Sequence, residues 1–405
     1  MDLRELIITY RTGFLRFALA LSRLCARIYL GGYRLNREEA GRYEGKINEN
    51  KNRTGGTSMI GIRTDANGII AMGHLMRCMS IARQLAKRQQ EVIFIISEND
   101  SEQLITENGF QCICLNNHYN EKEAETDTVI RLIQEYRIEK MIVDSYEVTK
   151  QYLEKLREAV YLIYIDDINA FKYPVDMLIN YSFNTTDEVY RSRSYDTDRT
   201  RMLLGAEYVP LREEFGGEAI AIKKRAESLF ITTGGADEFD MITDIVCGLN
   251  QSDCRDMKKY IVAGKFYKYK DKLEELRRQD SYIEFYMDIP DIDKVMRKGD
   301  IAISAGGTTL AELCSCGIPT ICFTMADNQL ASVTEYAKAG LMYCVGDIRG
   351  EGAKNAAVRK IVYYVNELRE QYDIRAEMGT KAKSAIDGNG AERIAQQVMK
   401  VISPL

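Results

Sequence analysis

The chain has 405 residues, a formal net charge of −5, and ordinary fractions of charged and hydrophobic residues. This length favours two domains over one, and the slightly acidic balance argues against a nucleic-acid-binding protein. The ten cysteines form no Cys-x-x-Cys pair and there are only two histidines, which indicates reduced thiols in a cytoplasmic protein and disfavours a structural zinc site.

The first 57 residues differ from the rest of the chain. Arginines outnumber acidic residues in 1–34 and are interspersed with apolar residues, which predicts a basic amphipathic helix that is too often interrupted to span a bilayer. Residues 35–57 are polar, like a linker. Two interpretations stay open: weak contact of 1–34 with the inner membrane surface, or a loosely ordered extension before a domain that starts at Met59. Deleting 1–57 is expected to leave turnover unchanged.

From Met59 onward, short apolar runs alternate with helical periods, and this order predicts parallel sheets covered by helices on both faces. The first series of predicted strands is Met59–Arg63, Val92–Ser97, Gln111–Leu115, Lys140–Asp144, Tyr161–Asp166 and Met177–Asn180. The second series is Ser228–Thr232, Lys259–Ala263, Ile283–Tyr286, Ile301–Ser304, Thr320–Phe323 and Met342–Val345.

The polar stretch Gly216–Glu227 separates the two series and is interpreted as the interdomain linker. We therefore expect an α/β protein with two doubly wound, Rossmann-like domains, at 58–222 and 223–405. In such folds ligands bind at the carboxyl ends of the strands, so these ends are expected to line a cleft between the domains.

His74 follows Gly73 where the first strand is predicted to turn into a helix. Glycine lets a ligand approach the backbone, and the free N–H groups of a helix start attract an anion. The same positive potential favours a neutral imidazole, which accepts a proton at neutral pH. The pattern suits a base beside a phosphorylated substrate, although a histidine that packs a helix start explains it equally well.

Two glycine pairs follow strands of the second series. Gly234 and Gly235 end one strand, and Gly306, Gly307 and Thr308 end another, so that each loop can offer N–H groups to a phosphate. Neither loop matches a P-loop, and no Gly-x-Gly-x-x-Gly follows the first strand, which weakens a nicotinamide cofactor. Together with Gly73 and His74, the loops predict a nucleotide-diphosphate ligand.

The segment Arg63-x-Asp65-Ala66 … Gly73-His74-x-x-Arg77-Cys78 resembles the opening motif of the PseG family, the UDP-2,4-diacetamido-2,4,6-trideoxy-β-L-altropyranose hydrolases of pseudaminic acid biosynthesis. The resemblance covers about residues 59–400. Further matches are Val143-Asp144-Ser-Tyr146, Asp166-Asp167, Leu211-Arg212-x-Glu214-Phe215, Ala305-Gly306-Gly307-Thr308-Thr309-Leu-x-Glu312, Asn328-Gln329 and Asp387-Gly388-x-Gly390-Ala391. The chain departs from the family at Ala71, which replaces a glycine, and at Asn67, which replaces a serine.

The resemblance implies the GT-B architecture, shared with MurG-type glycosyltransferases, and an inverting hydrolysis that releases UDP. It implies that His74 activates water, that Glu312 holds the ribose and that no metal or cofactor is needed. Asp65 would orient or recharge His74, or only cap a turn. The other residues implied in substrate binding are Arg63, Gly73, Arg77, Tyr146, Gly234, Gly235, Met287, Ile289, Gly306, Gly307, Thr308, Asn328 and Gln329.

Alternatives remain open at this point. Asp144, Asp166 and Asp167 end strands on the same side, where capping of loops explains them nearly as well, and Arg77 could contact substrate or only pair with Asp65 or Asp144. A GT-B glycosyltransferase, a nonenzymatic nucleotide-sugar-binding protein and a 2-epimerase would use a similar donor site. The protein is expected to act as a monomer.

Overall fold

The structure, a computed structural model, describes residues 59–67, 72–183, 185–192, 195, 199–264 and 266–401. The expectations for 1–57 lie outside these residues. The chain divides into two compact units. Of the described residues, those within 59–181, 185–204 and 391–401 form the first unit, and those within 182–183 and 205–390 form the second.

The first unit contains a seven-stranded parallel sheet with the order β3-β2-β1-β4-β5-β6-β7. Its strands are β1 Met59–Thr64, β2 Glu91–Ile96, β3 Gln111–Cys114, β4 Ile138–Asp144, β5 Tyr161–Ile165, β6 Met177–Asn180 and β7 Arg201–Leu204. Its helices up to β7 are α1 Gly73–Lys87, α2 Glu102–Glu107, α3 Lys122–Glu135, α4 Lys150–Ala159 and α5 Asp187–Arg191.

The second unit contains a six-stranded parallel sheet with the order β10-β9-β8-β11-β12-β13. Its strands are β8 Ser228–Thr232, β9 Lys258–Ala263, β10 Ile283–Met287, β11 Ile301–Ala305, β12 Thr320–Thr324 and β13 Tyr343–Asp347. Its helices are α6 Met241–Asn250, α7 Lys270–Gln279, α8 Ile292–Met296, α9 Thr309–Ser315, α10 Asp327–Lys338, α11 Ala353–Glu370 and α12 Tyr372–Ala385.

The central strands are buried along nearly their whole length, as expected when helices cover both faces of a parallel sheet. All five residues of β8 and of β11 are buried. In the first sheet the strand order reverses between β1 and β4, and in the second it reverses between β8 and β11. Such switch points are where open α/β sheets bind ligands.

The stretch Gly216–Glu227 lies within the second unit, whose main segment runs from Gly205 to Gly390. Gly216–Glu227 is not a free linker, because it is fixed to the second unit by hydrogen bonds to its backbone. Arg297 donates to the carbonyls of Gly216 and Glu218, and Lys383 donates to Gly217.

The last helix is α13 Gly390–Lys400, and from Ala391 onward it belongs to the first unit. Glu392 pairs with Arg88 of α1 at 2.7 Å, and Gln397 accepts a hydrogen bond from Arg201 of β7. The chain thus returns to the unit in which it started. In the part of the chain that the structure describes, we find no helix that is long and apolar enough to cross a membrane.

Candidate functional site

His74 and Asp144 meet at the switch point of the first sheet. Asp144 is the last residue of β4 and lies beside Thr64, the last residue of β1, in the register of the two parallel strands. His74 is in the first turn of α1, which follows β1. Its Nδ1 lies 2.5 Å from Oδ1 of Asp144, and both side chains are almost completely buried.

The Asp144 carboxylate receives a second, stronger partner in Arg77, one turn further along α1. Arg77 donates from Nε to Oδ2 and from Nη2 to Oδ1, both at 2.5 Å, in the bidentate geometry typical of arginine–carboxylate pairs. The Cys78 thiol donates to Oδ2 at 3.4 Å. Burial alone would raise the pKa of Asp144, but Arg77 and His74 lower it to about 2, so this carboxylate is an anion at neutral pH.

The anionic Asp144 fixes the tautomer of His74. A carboxylate oxygen 2.5 Å from Nδ1 requires a proton between the two atoms, so Nδ1 donates and Nε2 carries the lone pair of the neutral ring. Arg77 Nη2 also lies 2.9 Å from Nδ1. One of its two N–H groups donates to Asp144, and a protonated Nδ1 has no lone pair with which to accept the other. The arrangement supplies a base at Nε2 that is oriented through Nδ1, the relation of histidine to aspartate in hydrolytic triads.

Residues after β5 and β6 complete the cluster. Arg77 also donates to Asp167 at 2.9 Å and to the hydroxyl of Tyr181. Tyr146 donates to the same Asp167 oxygen at 2.8 Å, and its ring contacts the His74 ring edge-on, with centroids 4.5 Å apart. Burial and the nearby Asp167 raise the pKa of Tyr146, which keeps its hydroxyl protonated. Because Tyr146 is 49% exposed, it gives this buried cluster a surface that a ligand can reach.

Arg63 and Asp65 lie elsewhere, in a buried ion-pair network. Arg63 forms two hydrogen bonds of 2.8 Å with Glu125 and an ion pair of 2.8 Å with Asp65. Asp65 also accepts from Lys122 at 2.8 Å and from the backbone N–H of Ser97 at 2.7 Å. The carboxylate partner of His74 is therefore Asp144 and not Asp65. Arg63 has no exposed surface with which to contact a substrate.

The glycine loops of the second unit follow its two switch-point strands. Gly234 and Gly235 come after β8, and Gly306 and Gly307 come after β11. Gly234 has a φ of +82°, a left-handed conformation that favours glycine. A Cβ at Gly235 or at Gly307 would meet nothing within 4 Å, so both present open backbone. Gly306 is closely packed instead, since a Cβ there would lie 2.5 Å from Val333.

Glu312 lies one turn into α9, directly after the second glycine loop and Thr308. Its carboxylate forms an ion pair of 3.6 Å with Arg212, and the two side chains are 16% and 11% exposed. Burial raises the pKa of Glu312, and Arg212 opposes this rise. Glu312 is thus a nearly buried carboxylate with one charged partner beside a loop of open backbone.

The remaining predicted substrate residues are at the carboxyl ends of two further strands of the second unit. Met287 ends β10 and Ile289 follows it, and both are half-buried. Asn328 and Gln329 lie in the first turn of α10, after β12. The Gln329 side chain accepts a hydrogen bond from the backbone N–H of Met325 at 2.9 Å, which holds the β12–α10 loop. The structure thus brings the predicted residues of this unit to one end of its sheet.

The sequence predictions did not assign roles to Asp167, Tyr181 and Arg212, nor did they choose Asp144 as the partner of His74. The available signal was the position of these polar residues after neighbouring parallel strands, which placed Asp144 and Asp167 near each other without defining their contacts. Among the described residues, no group of three or more His, Cys, Asp or Glu side chains is placed to hold a metal ion.

No protein-family profile matches the sequence. The chain is 24% identical over 282 residues to the UDP-2,4-diacetamido-2,4,6-trideoxy-beta-L-altropyranose hydrolase of Campylobacter jejuni, a match that covers 69% of this chain and 96% of that protein. It is 22% identical over 341 residues to the spore coat polysaccharide biosynthesis protein SpsG of Bacillus subtilis, covering 83% and 96% of the two chains. A 27% identical match over 293 residues to an uncharacterized protein of Methanocaldococcus jannaschii covers 69% of this chain but only 58% of that protein.

Solved structures match over most of the chain. MurG of Acinetobacter baumannii superimposes with a TM-score of 0.64 at 12% identity, covering 85% of this chain and 100% of that chain. The calicheamicin glycosyltransferase CalG4 superimposes with a TM-score of 0.57 at 12% identity, covering 85% and 98%. The predicted fold class is confirmed: the chain has the GT-B fold, and it is distantly related in sequence to the Campylobacter hydrolase and to SpsG.

Proposed function

We propose that this chain hydrolyses a UDP-linked 2,4-diacetamido-2,4,6-trideoxyhexose to UDP and the free sugar, with inversion at the anomeric carbon. The observation that carries the proposal is the His74–Asp144 pair with its bidentate Arg77. A protein that only binds a nucleotide sugar has no use for an oriented base. The distant relationship to the Campylobacter hydrolase supports the choice of substrate class.

The reaction needs one base and a good leaving group. Nε2 of His74 takes a proton from water as the water oxygen forms a bond to the anomeric carbon. The bond from that carbon to the phosphate oxygen breaks, and its electron pair leaves with UDP. Asp144 stabilises the imidazolium that forms, through the proton on Nδ1. A positioned base of this kind typically contributes about 10²–10⁴-fold to the rate.

The second unit would hold the nucleotide. The open backbone at Gly235 and Gly307, with Thr308, would donate to the diphosphate and stabilise its charge as the bond breaks. Glu312 would accept both ribose hydroxyls, as acidic residues do in other nucleotide-binding folds. The uracil would lie against the backbone near Met287 and Ile289, and the first turn of α10 would lie near the hexose.

The first experiment measures UDP release from UDP-2,4-diacetamido-2,4,6-trideoxy-β-L-altrose, without acceptor and with a chelator present. We expect turnover by the wild type and a loss of about 10²–10⁴-fold in His74→Ala. The matched control is His118→Ala, since His118 is the other histidine of the chain, is exposed, and contacts Asn120 in a surface loop. This variant should retain wild-type turnover.

The opposite result is equally informative. If the wild type binds the nucleotide sugar but releases no UDP until an acceptor is added, the protein is a glycosyltransferase and the hydrolase proposal is wrong. If UDP is released at equal rates by the wild type and His74→Ala, the base is another group and the mechanism proposed for His74 is wrong.

A further inference from the structure

The proposed contact of Glu312 with the ribose depends on the charge of its carboxylate. A carboxylate accepts two hydrogen bonds from a cis diol only when it is ionised, because a protonated acid has one donor and reduced acceptor capacity. The Glu312 side chain is only 16% exposed, and such burial disfavours the charged form of a carboxylate. The proposed ribose role therefore requires a group in the fold that keeps Glu312 charged.

Arg212 is the cation placed to do this. It lies in the segment after Gly205 that is fixed to the second unit, and its guanidinium is 3.6 Å from the Glu312 carboxylate. The guanidinium carbon lies 5.0 Å from the centroid of the Phe215 ring, and Phe215 is fully buried. The arginine is thereby held by stacking as well as by charge.

The other charged and titratable groups near Glu312 do not replace Arg212. Glu214, from the same segment, repels the Glu312 anion and raises its pKa, as burial does. Cys316 lies at the other end of α9, and burial raises the pKa of its thiol to about 11, so it carries no charge at neutral pH. Thr309 lowers the pKa of Glu312 through a hydrogen bond, without contributing charge.

We propose that Arg212 is a positioning residue for ribose recognition: it holds the Glu312 carboxylate in place and in its anionic form, and thereby sets the preference of the second unit for ribonucleotides over 2′-deoxyribonucleotides. This inference rests on the proposed function, because it takes uridine diphosphate as the ligand of this unit. Arg212 acts through Glu312 and is not itself required to touch the ligand.

The test is calorimetric binding of UDP and of 2′-deoxy-UDP to the full chain between pH 6 and pH 8.5. Because the two ligands carry the same ionisable groups, the ratio of their affinities at each pH cancels the effect of ligand ionisation. In Arg212→Met, we expect UDP binding to weaken by about tenfold at pH 6.5, the size of a lost hydrogen bond to a charged group, and to recover as the pH rises and Glu312 ionises. Binding of 2′-deoxy-UDP should change much less, and Arg212→Lys should restore the wild-type pH profile.

Arg297→Met is the matched structural control. Arg297 anchors the same segment through the carbonyls of Gly216 and Glu218, so its loss tests whether a loosened segment mimics the effect. The inference would be overturned if Arg212→Met weakened the binding of both ligands equally at every pH. It would also be overturned if Arg297→Met gave the same pH profile as Arg212→Met. Failure of the wild type to bind UDP at any pH would instead overturn the proposed function. Equal binding of UDP and 2′-deoxy-UDP by the wild type would overturn the inference about Arg212 and Glu312 and leave the proposed function standing.

Discussion

Asp144 is central to the candidate site, because four side-chain contacts meet at its carboxylate. These contacts come from Nδ1 of His74, Nε and Nη2 of Arg77, and the Cys78 thiol. Arg77 keeps the carboxylate ionised, and the carboxylate in turn decides which nitrogen of His74 carries the proton. The orientation of His74 thus depends on a residue that need not touch the substrate.

Asp144→Asn tests this dependence. An amide in place of the carboxylate can donate to Nδ1 and so favours the tautomer that has its proton on Nε2, where it cannot accept one from water. We expect kcat to fall by about 10²–10⁴-fold while KM changes little, since substrate contacts are retained. Steady-state UDP release over pH 6 to 9 measures both parameters.

Cys78→Ala is the control for this variant, because it removes a contact to the same carboxylate without altering the charge or tautomer of His74. Its kcat should stay within a few-fold of the wild type. UDP binding and thermal unfolding of Asp144→Asn show whether the protein remains folded. A folded Asp144→Asn variant with wild-type kcat would show that Asp144 only supports the structure.

Position along the chain was sufficient to single out His74 as a candidate residue, but not to identify its partner. A histidine at a strand-to-helix junction was recognised from Gly73 and His74 alone, and the structure places His74 beside an anionic carboxylate. Asp65 was predicted either to orient or recharge His74 or only to cap a turn. The actual partner, Asp144, is 70 residues away and becomes adjacent only because β1 pairs with β4. The spacing of residues along the chain does not specify which strands pair, so the sequence could not identify Asp144 as the partner of His74.

At the scale of elements, the network around Arg63 fixes the carboxyl end of β1 to its surroundings. Arg63 belongs to β1, Asp65 follows it, and Lys122 and Glu125 come from the first turns of α3. Tyr152 of α4 donates to Glu125 at 2.8 Å. All of these side chains are buried, and breaking one member of such a network leaves uncompensated charge. The network therefore holds the carboxyl end of β1 and the adjoining Asp65 in place.

Asp65→Asn should lower the stability of the protein in a pH-dependent way. Burial would raise the pKa of Asp65, but Arg63 and Lys122 lower it to about 2. A carboxyl group with a lowered folded-state pKa stabilises the fold above its unfolded pKa of about 4, and this contribution disappears as the pH falls towards 2. We expect Asp65→Asn to lower the free energy of unfolding by about 2 kcal/mol at pH 7. The variant should also lose less stability than the wild type between pH 4 and pH 2.

Urea denaturation at pH 7, 4 and 3 measures this difference. The control is Asp187→Asn in the same unit, where the ion pair of Asp187 with Arg191 is exposed on both sides and should contribute little. Equal pH dependence in the wild type and Asp65→Asn would show that Asp65 does not contribute to acid stability.

The elements themselves were largely predictable. Buried parallel strands appear as continuous apolar runs, and the twelve predicted strands all lie within two residues of observed ones. The missed strand, β7, reads Arg-Met-Leu-Leu and is exposed or half-buried at three of its four positions, so its apolar run is short. Helix α13 has a clear amphipathic pattern, but nothing in that pattern indicates which unit its apolar face contacts.

At the scale of the whole molecule, the return of α13 makes the first unit discontinuous in sequence. Its buried apolar residues, Ile394, Ala395 and Val398, have no exposed surface, and its polar contacts reach Arg88 and Arg201 of the first unit. The stability of the first unit should therefore depend on residues at the C-terminal end of the chain, beyond the whole of the second unit.

Ile394→Ala tests this expectation, since deleting a buried isoleucine side chain typically costs about 2–5 kcal/mol. We expect faster hydrogen exchange of backbone amides in β1, β4 and β7, with exchange in β8 and β11 unchanged. Ile361→Ala is the mirror control, because Ile361 of α11 is fully buried in the core of the second unit and should give the opposite pattern. If Ile394→Ala instead increases exchange only in β8 and β11, α13 belongs energetically to the second unit, and the boundary at Gly390 is wrong.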